Sequence, residues 1–287
     1  MMDTMAQLAR QFPARRGFIT GAGSGLGRAL AHRLAAAGWR LGLNDLEPDG
    51  LRALTDQYGP DQLATYVFDV ADETAFAHAA TDFLHRFQGV ELVFNCAGIG
   101  GGGLFVDYPM AHWREIMRVN LLGVVAGTQL FLPAMLAARR GRVVNVASAA
   151  AFHGLPGLSA YVASKAAVLA FSEVVEAELR GTGVHLAVKM TTFYRDSQIG
   201  RLTRGRAEEQ QLAQQLVNQA PLSADEVAVE TLRQVAAGRF YIVFPRQARG
   251  LWFFKRHFPR LYLRFISVFG PRLVERLRRT LAKPLPA

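Results

Sequence analysis

The sequence predicts an α/β protein whose parallel sheet of about seven strands is covered by helices on both faces and is followed by a basic helical tail. From about residue 14 to 244, short apolar runs alternate with stretches of helical length and spacing. This alternation is typical of βαβ units, in which neighbouring strands are parallel. We expect an N-terminal surface arm over residues 1–13, one domain over 14–244 and an extension over 245–287.

Seven apolar runs are the candidate strands. In chain order they read "GFIT", "RLGLN", "ATYVF", "ELVFN", "RVVNVAS", "VHLAVKM" and "RFYIVF". Helical stretches such as "GLGRALAHRLAAAG" lie between them, and no linker rich in proline, serine and glycine divides the region. The pattern therefore favours one domain rather than two.

The composition is that of an ordinary globular protein. Of the 287 residues, 51% are hydrophobic and 20% are charged. The single cysteine, Cys96, excludes an intrachain disulfide and indicates a reducing compartment, so we expect a cytoplasmic location. No histidines, cysteines and carboxylates recur at the spacing of metal ligands, and we predict no catalytic metal.

A glycine-rich turn follows the first candidate strand. In "TGAGSGLGRA", Gly21, Gly25 and Gly27 stand between a strand and a helix. Glycine permits a tight turn and the close approach of a pyrophosphate, and a helix N-terminus offers free N–H groups. The spacing differs from the common fingerprint G-x-G-x-x-G, so the turn alone fits a purely structural role equally well.

An acidic residue at the end of the second strand favours a nucleotide site. Asp45 lies eighteen residues after Gly27. Its carboxylate can accept both ribose hydroxyls of NAD and would repel the 2′-phosphate of NADP. Leu46 supplies no cation for that phosphate, and Arg28 is the one feature that argues for NADP. The sequence favours NAD; the alternative is that Asp45 caps the following helix.

A tyrosine and a lysine share one face of an apolar helix. In "SAYVASKAAVLAF", Tyr161 stands four residues before Lys165, which is about one helical turn. The pKa of a free phenol, about 10, is too high for efficient proton exchange near neutrality, and a nearby ammonium lowers it. Ser148 ends the fifth candidate strand, where its hydroxyl would face a ligand crevice. The alternative for Ser148 is a turn or capping role.

Several motifs together resemble the short-chain dehydrogenase/reductase family. They are "TGAGSGLG", "DV" at 69 and 70, "NCAG" at 95–98, "VNLLG" with Asn120, Ser148 and "YVASK". The resemblance spans roughly residues 16–244 and implies a Rossmann-like doubly wound sheet that binds NAD. It also implies homodimers or homotetramers that pair through the helices containing Asn120 and Tyr161.

The resemblance also implies a role for each matching residue. Tyr161 would be the catalytic acid/base, Ser148 the ligand of the substrate oxygen, and Lys165 the ligand of the nicotinamide ribose that lowers the Tyr161 pKa. Asn120 would hold a water that links Lys165 to solvent. The implied cofactor-binding positions are Gly21, Ser24, Gly25, Leu26, Gly27, Asp45, Asp69, Val70, Asn95, Ala97, Gly98, Tyr161, Lys165, Thr191 and Thr192.

One position departs from the family pattern. Thr191 and Thr192 stand where Pro-Gly usually follows the sixth long strand and helps to seat the nicotinamide carboxamide. A threonine can still offer a hydroxyl and a backbone amide, but β-branched residues accept fewer backbone conformations than glycine. The departure supports an alternative function, a catalytically inactive nucleotide-binding scaffold that recruits a membrane or protein partner.

The segments after three strands supply the expected substrate pocket. Its side chains lean apolar and aromatic, which favours a hydrophobic alcohol or ketone: Ser148, Phe152, His153, Leu155, Tyr161, Phe193 and Tyr194. Four glycines at 100–103 form a closely approached wall, and a polar helix of roughly residues 201–215 is a candidate lid. For His153, an exposed loop position is the alternative to substrate contact.

The C-terminal tail carries most of the net charge. Residues 239–287 contain twelve basic residues and one acidic residue, and the chain as a whole has a net charge of +10. Apolar and basic residues recur at helical spacing, with a break at Pro259 and a second helix expected to begin at Pro271. The tail would pack on the core or on a second subunit, or contact an anionic membrane surface through residues 251–283. Nucleic-acid binding lacks a supporting motif.

Overall fold

The computed structural model describes the backbone of residues 2–281 and contains the predicted sheet. The seven parallel strands of this sheet are β1 (Arg16–Thr20), β2 (Arg40–Asp45), β3 (Leu63–Val67), β4 (Leu92–Asn95), β6 (Gly141–Val146), β7 (Val184–Thr191) and β9 (Tyr241–Phe244). Their order is β3-β2-β1-β4-β6-β7-β9, and all seven candidate strands are confirmed. The order reverses between β1 and β4, which opens a crevice at the carboxyl ends of the strands.

Eleven helices complete the described part of the chain. They are α1 (Met2–Gln11), α2 (Gly25–Ala36), α3 (Pro48–Tyr58), α4 (Glu73–Phe87), α5 (Met110–Met117), α6 (Gly123–Ala138), α7 (Ser159–Glu178), α8 (Ala207–Asn218), α9 (Ala224–Ala236), α10 (Arg246–His257) and α11 (Pro259–Leu281). Buried side chains of α1, α2, α3 and α9 form the core on one face of the sheet, and those of α4 and α6 form the core on the other. The sheet is therefore doubly wound.

The N-terminal segment is a packed helix, and the expectation of a surface arm is wrong. Leu8 and Phe12 are buried against α9, with Met5 packed beside them. Their spacing of three and four residues gives α1 one apolar face, which is removed from water when the helix docks. Gln7 and Gln11 also donate to the carbonyl of Ala236 at the end of α9, at 3.0 and 2.7 Å.

The tail forms two helices that meet at Pro259, as predicted, but the second does not begin at Pro271. Helix α11 continues through Pro271, because the ring removes only one N–H donor and the flanking turns still hold. Gly270 sits against Pro156, so close that a Cβ would lie 3.0 Å from the proline ring. The side chains of Leu273 and residues 276–281, on which the second amphipathic pattern rests, lie outside the described residues.

One continuous helical stretch, residues 110–138, has the length and hydropathy that a membrane-crossing helix would need. Its inner face buries Ile116, Val124 and Phe131 in the core, and it packs along α4 and α7. A core helix meets the same criteria of length and composition, so this property carries no further weight.

Candidate active site

The candidate site lies at the carboxyl ends of β1, β4, β6 and β7. The glycine turn follows β1, Ser148 lies two residues beyond β6, and Thr191 ends β7. Parallel strands bring these segments to one edge of the sheet, beside the position where the strand order reverses.

The Ser148 hydroxyl lies close enough to the Tyr161 phenol to lower the pKa of that phenol. The Ser148 hydroxyl also accepts from the backbone N–H of Ala150 at 3.1 Å and donates to the carbonyl of Thr191 at 3.4 Å. It therefore caps the short 3-10 helix Ala149–Ala151 as well as facing the tyrosine. Ser148 therefore fulfils the capping role that the sequence left as an alternative and also faces Tyr161.

The expected lowering of the Tyr161 pKa is not observed. Burial raises the pKa of the Tyr161 phenol, and the hydrogen bond from Ser148 only partly opposes that rise. The Lys165 ammonium does not point at the phenol oxygen: it donates to the Val146 carbonyl at 2.9 Å and lies 5.9 Å from the centre of the Tyr161 ring. Burial lowers the pKa of Lys165 itself to about 8.

Asn120 lies in a π-helical turn, Arg118–Leu122, between α5 and α6. The wider turn directs its fully buried amide toward β4. The amide oxygen accepts from the Ile99 N–H at 2.8 Å, and the amide nitrogen donates to the Ile99 carbonyl at 2.9 Å and to Ser164 at 3.1 Å. A Cβ at Gly98 would lie 3.1 Å from the Asn120 oxygen and 3.4 Å from the Lys165 nitrogen, so both side chains converge on this glycine.

The glycine turn has the conformation that its residues predict. Gly21 and Gly25 have positive φ angles of 65° and 48°. A Cβ at Gly21 would lie 2.9 Å from the backbone nitrogen of Ala97, and one at Gly27 would lie 2.0 Å from the carbonyl oxygen of Gly21. Ser24 is the N-cap of α2 without a side-chain capping bond, and Gly25 and Leu26 are the first two residues of the helix, whose N–H groups have no partner within it.

Asp45 contacts the glycine turn rather than a helix end. Its carboxylate accepts from the Gly23 N–H at 2.8 Å and from the Glu47 N–H at 3.1 Å. The N-cap of α3 is Glu47, so the capping alternative for Asp45 is wrong. The carboxylate is half-buried beside the turn, at the end of β2.

Two further pairs of predicted cofactor-binding residues, Asp69 with Val70 and Asn95 with Ala97, have contacts of their own within the protein. Asp69 is bonded by Arg118 at 2.8 Å, and Val70 packs on α6. Asn95 turns its side chain away from the crevice and donates to Asn145 at 2.8 Å, whereas the backbone of Ala97 reaches the crevice beside Gly21.

The predicted substrate residues do not form one cluster. Phe152 is buried in the core and stacks on Trp252 of α10, with ring centres 5.6 Å apart. His153 lies 2.9 Å from the hydroxyl of Tyr262 on α11, so it is neither an exposed loop residue nor open to the crevice. Burial lowers the pKa of this imidazole, and nearby Lys255 acts in the same direction. Leu155 is half-buried and Phe193 is exposed.

The candidate lid begins later than predicted. Residues 201–206 contain a short strand, β8 (Thr203–Arg204), which pairs with β5 (Gly100–Gly101) and so ties the lid to the run of four glycines. Helix α8 starts only at Ala207, because Thr203 bonds back to Ile199 and Gly205 has a φ of 157°. A cavity of about 250 Å³ lies between Gly102, Tyr108 and Glu209.

Three structural features were missed from the sequence. Lys189 is a second fully buried lysine at the crevice, Ser164 supports Asn120, and a buried network joins Asn95, Asn145, Thr128 and Ser172. The sequence did contain a signal for Lys189, because a lysine inside an otherwise apolar strand is unusual. Tyr194 also lies over the glycine turn, where a Cβ placed on Gly25 would be 3.8 Å from its hydroxyl.

The crevice has the groups that a dinucleotide needs. Thr191 Oγ1 at the end of β7 is buried and has no hydrogen-bond partner among the described residues, so it is free to meet a carboxamide. The glycine turn leaves no room for side chains where a pyrophosphate would approach. Thr192 is exposed next to Thr191, and its backbone amide supplies a further donor.

The comparisons agree with this geometry. A family model described as short chain dehydrogenase matches residues 17–201. The 2-dehydro-3-deoxy-L-rhamnonate dehydrogenase (NAD(+)) of Sphingomonas sp. strain SKA58 is 35% identical over 181 residues, 63% of this chain and 72% of that protein. SadH of Mycobacterium tuberculosis, named as an oxidoreductase, is 32% identical over 272 residues, 89% of this chain and 95% of that protein.

A solved structure supports the same assignment. The short chain dehydrogenase/reductase from Burkholderia phymatum in complex with NAD has a TM-score of 0.81 and 28% identity, and the match covers 86% of this chain and 94% of that chain. The family model alone spans more than half of the sequence. The chain belongs to the short-chain dehydrogenase/reductase family of oxidoreductases, which bind NAD or NADP.

Proposed function

We propose that the protein is an NAD-dependent dehydrogenase or ketone reductase that acts on a lipophilic secondary alcohol or ketone. The observation that carries the proposal is the convergence of three side chains where the glycine turn opens: the Ser148 hydroxyl lies close enough to the Tyr161 phenol to lower its pKa, and the Lys165 ammonium lies 5.9 Å from the centre of the Tyr161 ring. An inactive scaffold has no need of all three groups in one crevice.

In this proposal Tyr161 moves the proton and Ser148 holds the reacting oxygen. During oxidation the Tyr161 oxygen takes the hydroxyl proton of the alcohol, and during reduction it returns a proton to the carbonyl oxygen. NAD, when bound, would supply the hydride acceptor for oxidation, and NADH the hydride donor for reduction. Lys165 holds the nicotinamide ribose near the phenol, and Asn120 fixes the backbone of Ile99 beside it.

The remaining residues would hold the dinucleotide. The N–H groups at Gly25 and Leu26 face the pyrophosphate, and the half-buried carboxylate of Asp45 accepts the adenosine ribose hydroxyls. Asp69 and Val70 border the adenine. Asp45 carries the preference for NAD, because a 2′-phosphate at the same place meets a like charge.

The surroundings of Tyr161 favour an apolar substrate. Leu155 and Phe193 are the predicted pocket residues that remain accessible, and neither is charged. The C-terminal helices cover Phe152 and His153 next to the pocket, so they would limit how far a substrate extends in that direction.

A titration followed by a turnover screen tests the proposal. Purified protein is titrated with NADH and NADPH by fluorescence, and aliphatic secondary alcohols and ketones are then screened with the preferred cofactor. We expect tighter NADH binding and turnover of at least one lipophilic compound. Tighter NADPH would overturn the cofactor choice, and binding of neither would favour the scaffold.

We also propose that the tail holds this cytoplasmic enzyme at an anionic membrane surface. Trp252 and Tyr262 pack on the core, whereas Leu261, Phe265 and Phe269 on α11 are 57%, 44% and 51% exposed. Exposed Arg260 and Arg264 flank this apolar row. Aromatic side chains beside arginines suit the interface between hydrocarbon and anionic headgroups.

Co-sedimentation with liposomes tests the membrane contact. The variant Arg260→Gln/Arg264→Gln should lose most of its binding to vesicles that contain phosphatidylglycerol, and Phe265→Ser/Phe269→Ser should do the same. Arg40→Gln/Arg180→Gln removes the same charge from exposed positions elsewhere and should bind like the unaltered protein. Equal binding by all of them would refute the proposal.

We further propose a homo-oligomer that pairs through α6 and α7. Leu122 directly before α6, Leu136 on α6 and Val174 on α7 are exposed to 51%, 38% and 59%. Light scattering after size-exclusion chromatography should give at least a dimer, and Leu122→Arg/Val174→Arg should shift it toward a monomer. A monomer before substitution would contradict this expectation.

A further inference from the structure

Lys189 is an unpartnered buried lysine at the edge of the crevice. It lies on β7, two residues before Thr191, and is 1% exposed. Its ammonium has no hydrogen-bond partner among the described residues. A buried charge is costly unless it is paired. An ammonium without an acceptor at a ligand crevice therefore indicates that an anionic ligand binds there.

The groups around Lys189 all belong to the crevice. The Tyr194 ring centre lies 5.2 Å from the ammonium nitrogen, and the charge of Lys165 lowers the pKa of Lys189. None of the described carboxylates contributes to the surroundings of Lys189. The absent counter-ion must therefore come from a bound molecule rather than from a described acidic side chain.

Tyr194 connects this lysine to the N-terminus of α2. Its ring lies against the Lys189 ammonium, and its hydroxyl lies close enough to the Leu26 N–H and to Ser197 for both to lower the pKa of the phenol, although burial raises that pKa overall. A Cβ placed on Gly25 would lie 3.8 Å from the same hydroxyl. The phenol thus occupies the space between two groups that favour negative charge, a helix N-terminus and a lysine.

We propose that Lys189 pairs with the pyrophosphate of the bound dinucleotide, and that Tyr194 covers this anion site until the dinucleotide displaces it. The inference rests on the proposed function and adds two residues to its cofactor site. The phenol oxygen satisfies the Leu26 N–H in place of a phosphate oxygen. When the ring moves aside, the ammonium and the helix N-terminus face the same anion.

The experiment measures dissociation constants rather than turnover. NADH, ADP-ribose and adenosine are titrated into the unaltered protein, Lys189→Met and Tyr194→Phe. For Lys189→Met we expect NADH and ADP-ribose to bind at least about 10-fold more weakly, because both contain the pyrophosphate, and adenosine to bind unchanged. For Tyr194→Phe we expect NADH to bind about 3-fold more tightly or better, because its competitor for the Leu26 N–H is lost.

Lys255→Met is the matched control. Lys255 also lies over a tyrosine ring, that of Tyr262, at 5.4 Å, but on the outer helix α10. Its substitution should leave NADH affinity unchanged. Unchanged NADH affinity in Lys189→Met, or equal weakening for adenosine, would overturn the role of Lys189. Unchanged or weaker NADH binding by Tyr194→Phe would refute the proposal that Tyr194 covers the anion site.

The two levels of proposal fail in different ways. If the unaltered protein binds neither NADH nor NADPH, the proposed function is wrong, and the proposed pyrophosphate site at Lys189 is wrong as well. If it binds NADH and the Lys189 and Tyr194 variants bind it equally well, only this inference is wrong. Circular dichroism of each variant establishes that the fold is retained.

Discussion

The ammonium nitrogen of Lys165 lies 2.9 Å from the carbonyl oxygen of Val146, the last residue of β6. Ser148 follows two residues later, so the end of one strand positions both the lysine and the serine. The lysine is thus held by the backbone and not by the phenol of Tyr161. Removal of the phenol oxygen should leave Lys165 where it is.

Tyr161→Phe should separate chemistry from cofactor binding. We expect turnover to fall by about 10²- to 10⁴-fold, the usual contribution of a positioned acid or base. The dissociation constant of NADH should change by less than about 3-fold, since a phenyl ring keeps the packing and Lys165 keeps its acceptor. Steady-state kinetics and fluorescence titration provide the two measurements. Retention of most activity would remove Tyr161 from the mechanism.

Asp45→Asn should shift the cofactor preference. An asparagine oxygen can still accept from the Gly23 N–H, so the turn is retained while the charge is lost. We expect the ratio of the NADPH and NADH dissociation constants to fall by about 10-fold, which corresponds to about 1.4 kcal/mol. Titration of both cofactors measures the ratio. An unchanged ratio would mean that Asp45 does not select against the 2′-phosphate.

The two buried lysines predict a pH dependence of stability. Burial lowers the pKa of Lys189 to about 7 and that of Lys165 to about 8, below the ordinary value of 10.5. Between pH 6.5 and 8.5 the unfolded chain therefore binds more protons than the native protein. The free energy of unfolding should rise with pH across this window.

Lys189→Met should remove part of that dependence. We expect a higher urea midpoint than the unaltered protein at pH 6.5 and a smaller gain between pH 6.5 and 8.5. Lys255→Met, on the outer helix α10, should keep the original slope. If Lys189→Met is as pH-dependent as the unaltered protein, the ammonium is not desolvated in the native state.

Asn145→Ala should destabilise the sheet without touching the crevice. Asn145 is fully buried, accepts from Asn95 at 2.8 Å and donates to Ser172 at 3.0 Å. Its truncation leaves a cavity and unpaired polar groups, so we expect a loss of about 2–4 kcal/mol in unfolding free energy. Ser172→Ala removes one partner and should cost about 1 kcal/mol. If urea unfolding shows the same loss of unfolding free energy for Asn145→Ala and Ser172→Ala, the central role of Asn145 in this network is contradicted.

Local patterns were sufficient to predict the sheet and the shared helix face of Tyr161 and Lys165. The apolar runs of the central strands β1, β2, β4, β6 and β7 are buried almost throughout, and the sequence reveals such runs because burial on both faces of the sheet requires apolar residues. Tyr161 and Lys165 share a helix face through their spacing alone, and Ser148 joins them because parallel strands end at one edge. Each of these inferences needs only backbone periodicity.

The sequence by itself determined the doubly wound sheet, the glycine turn and the set of side chains proposed for catalysis. The tertiary structure decided where side chains point: Phe152 and His153 face the tail, Asn95 faces α6, and Tyr194 lies against Lys189. Those choices depend on contacts between residues up to 109 positions apart, as for His153 and Tyr262. Such contacts follow from the packing of distant elements and leave no periodic pattern in the chain, so no local reading of the sequence contains them.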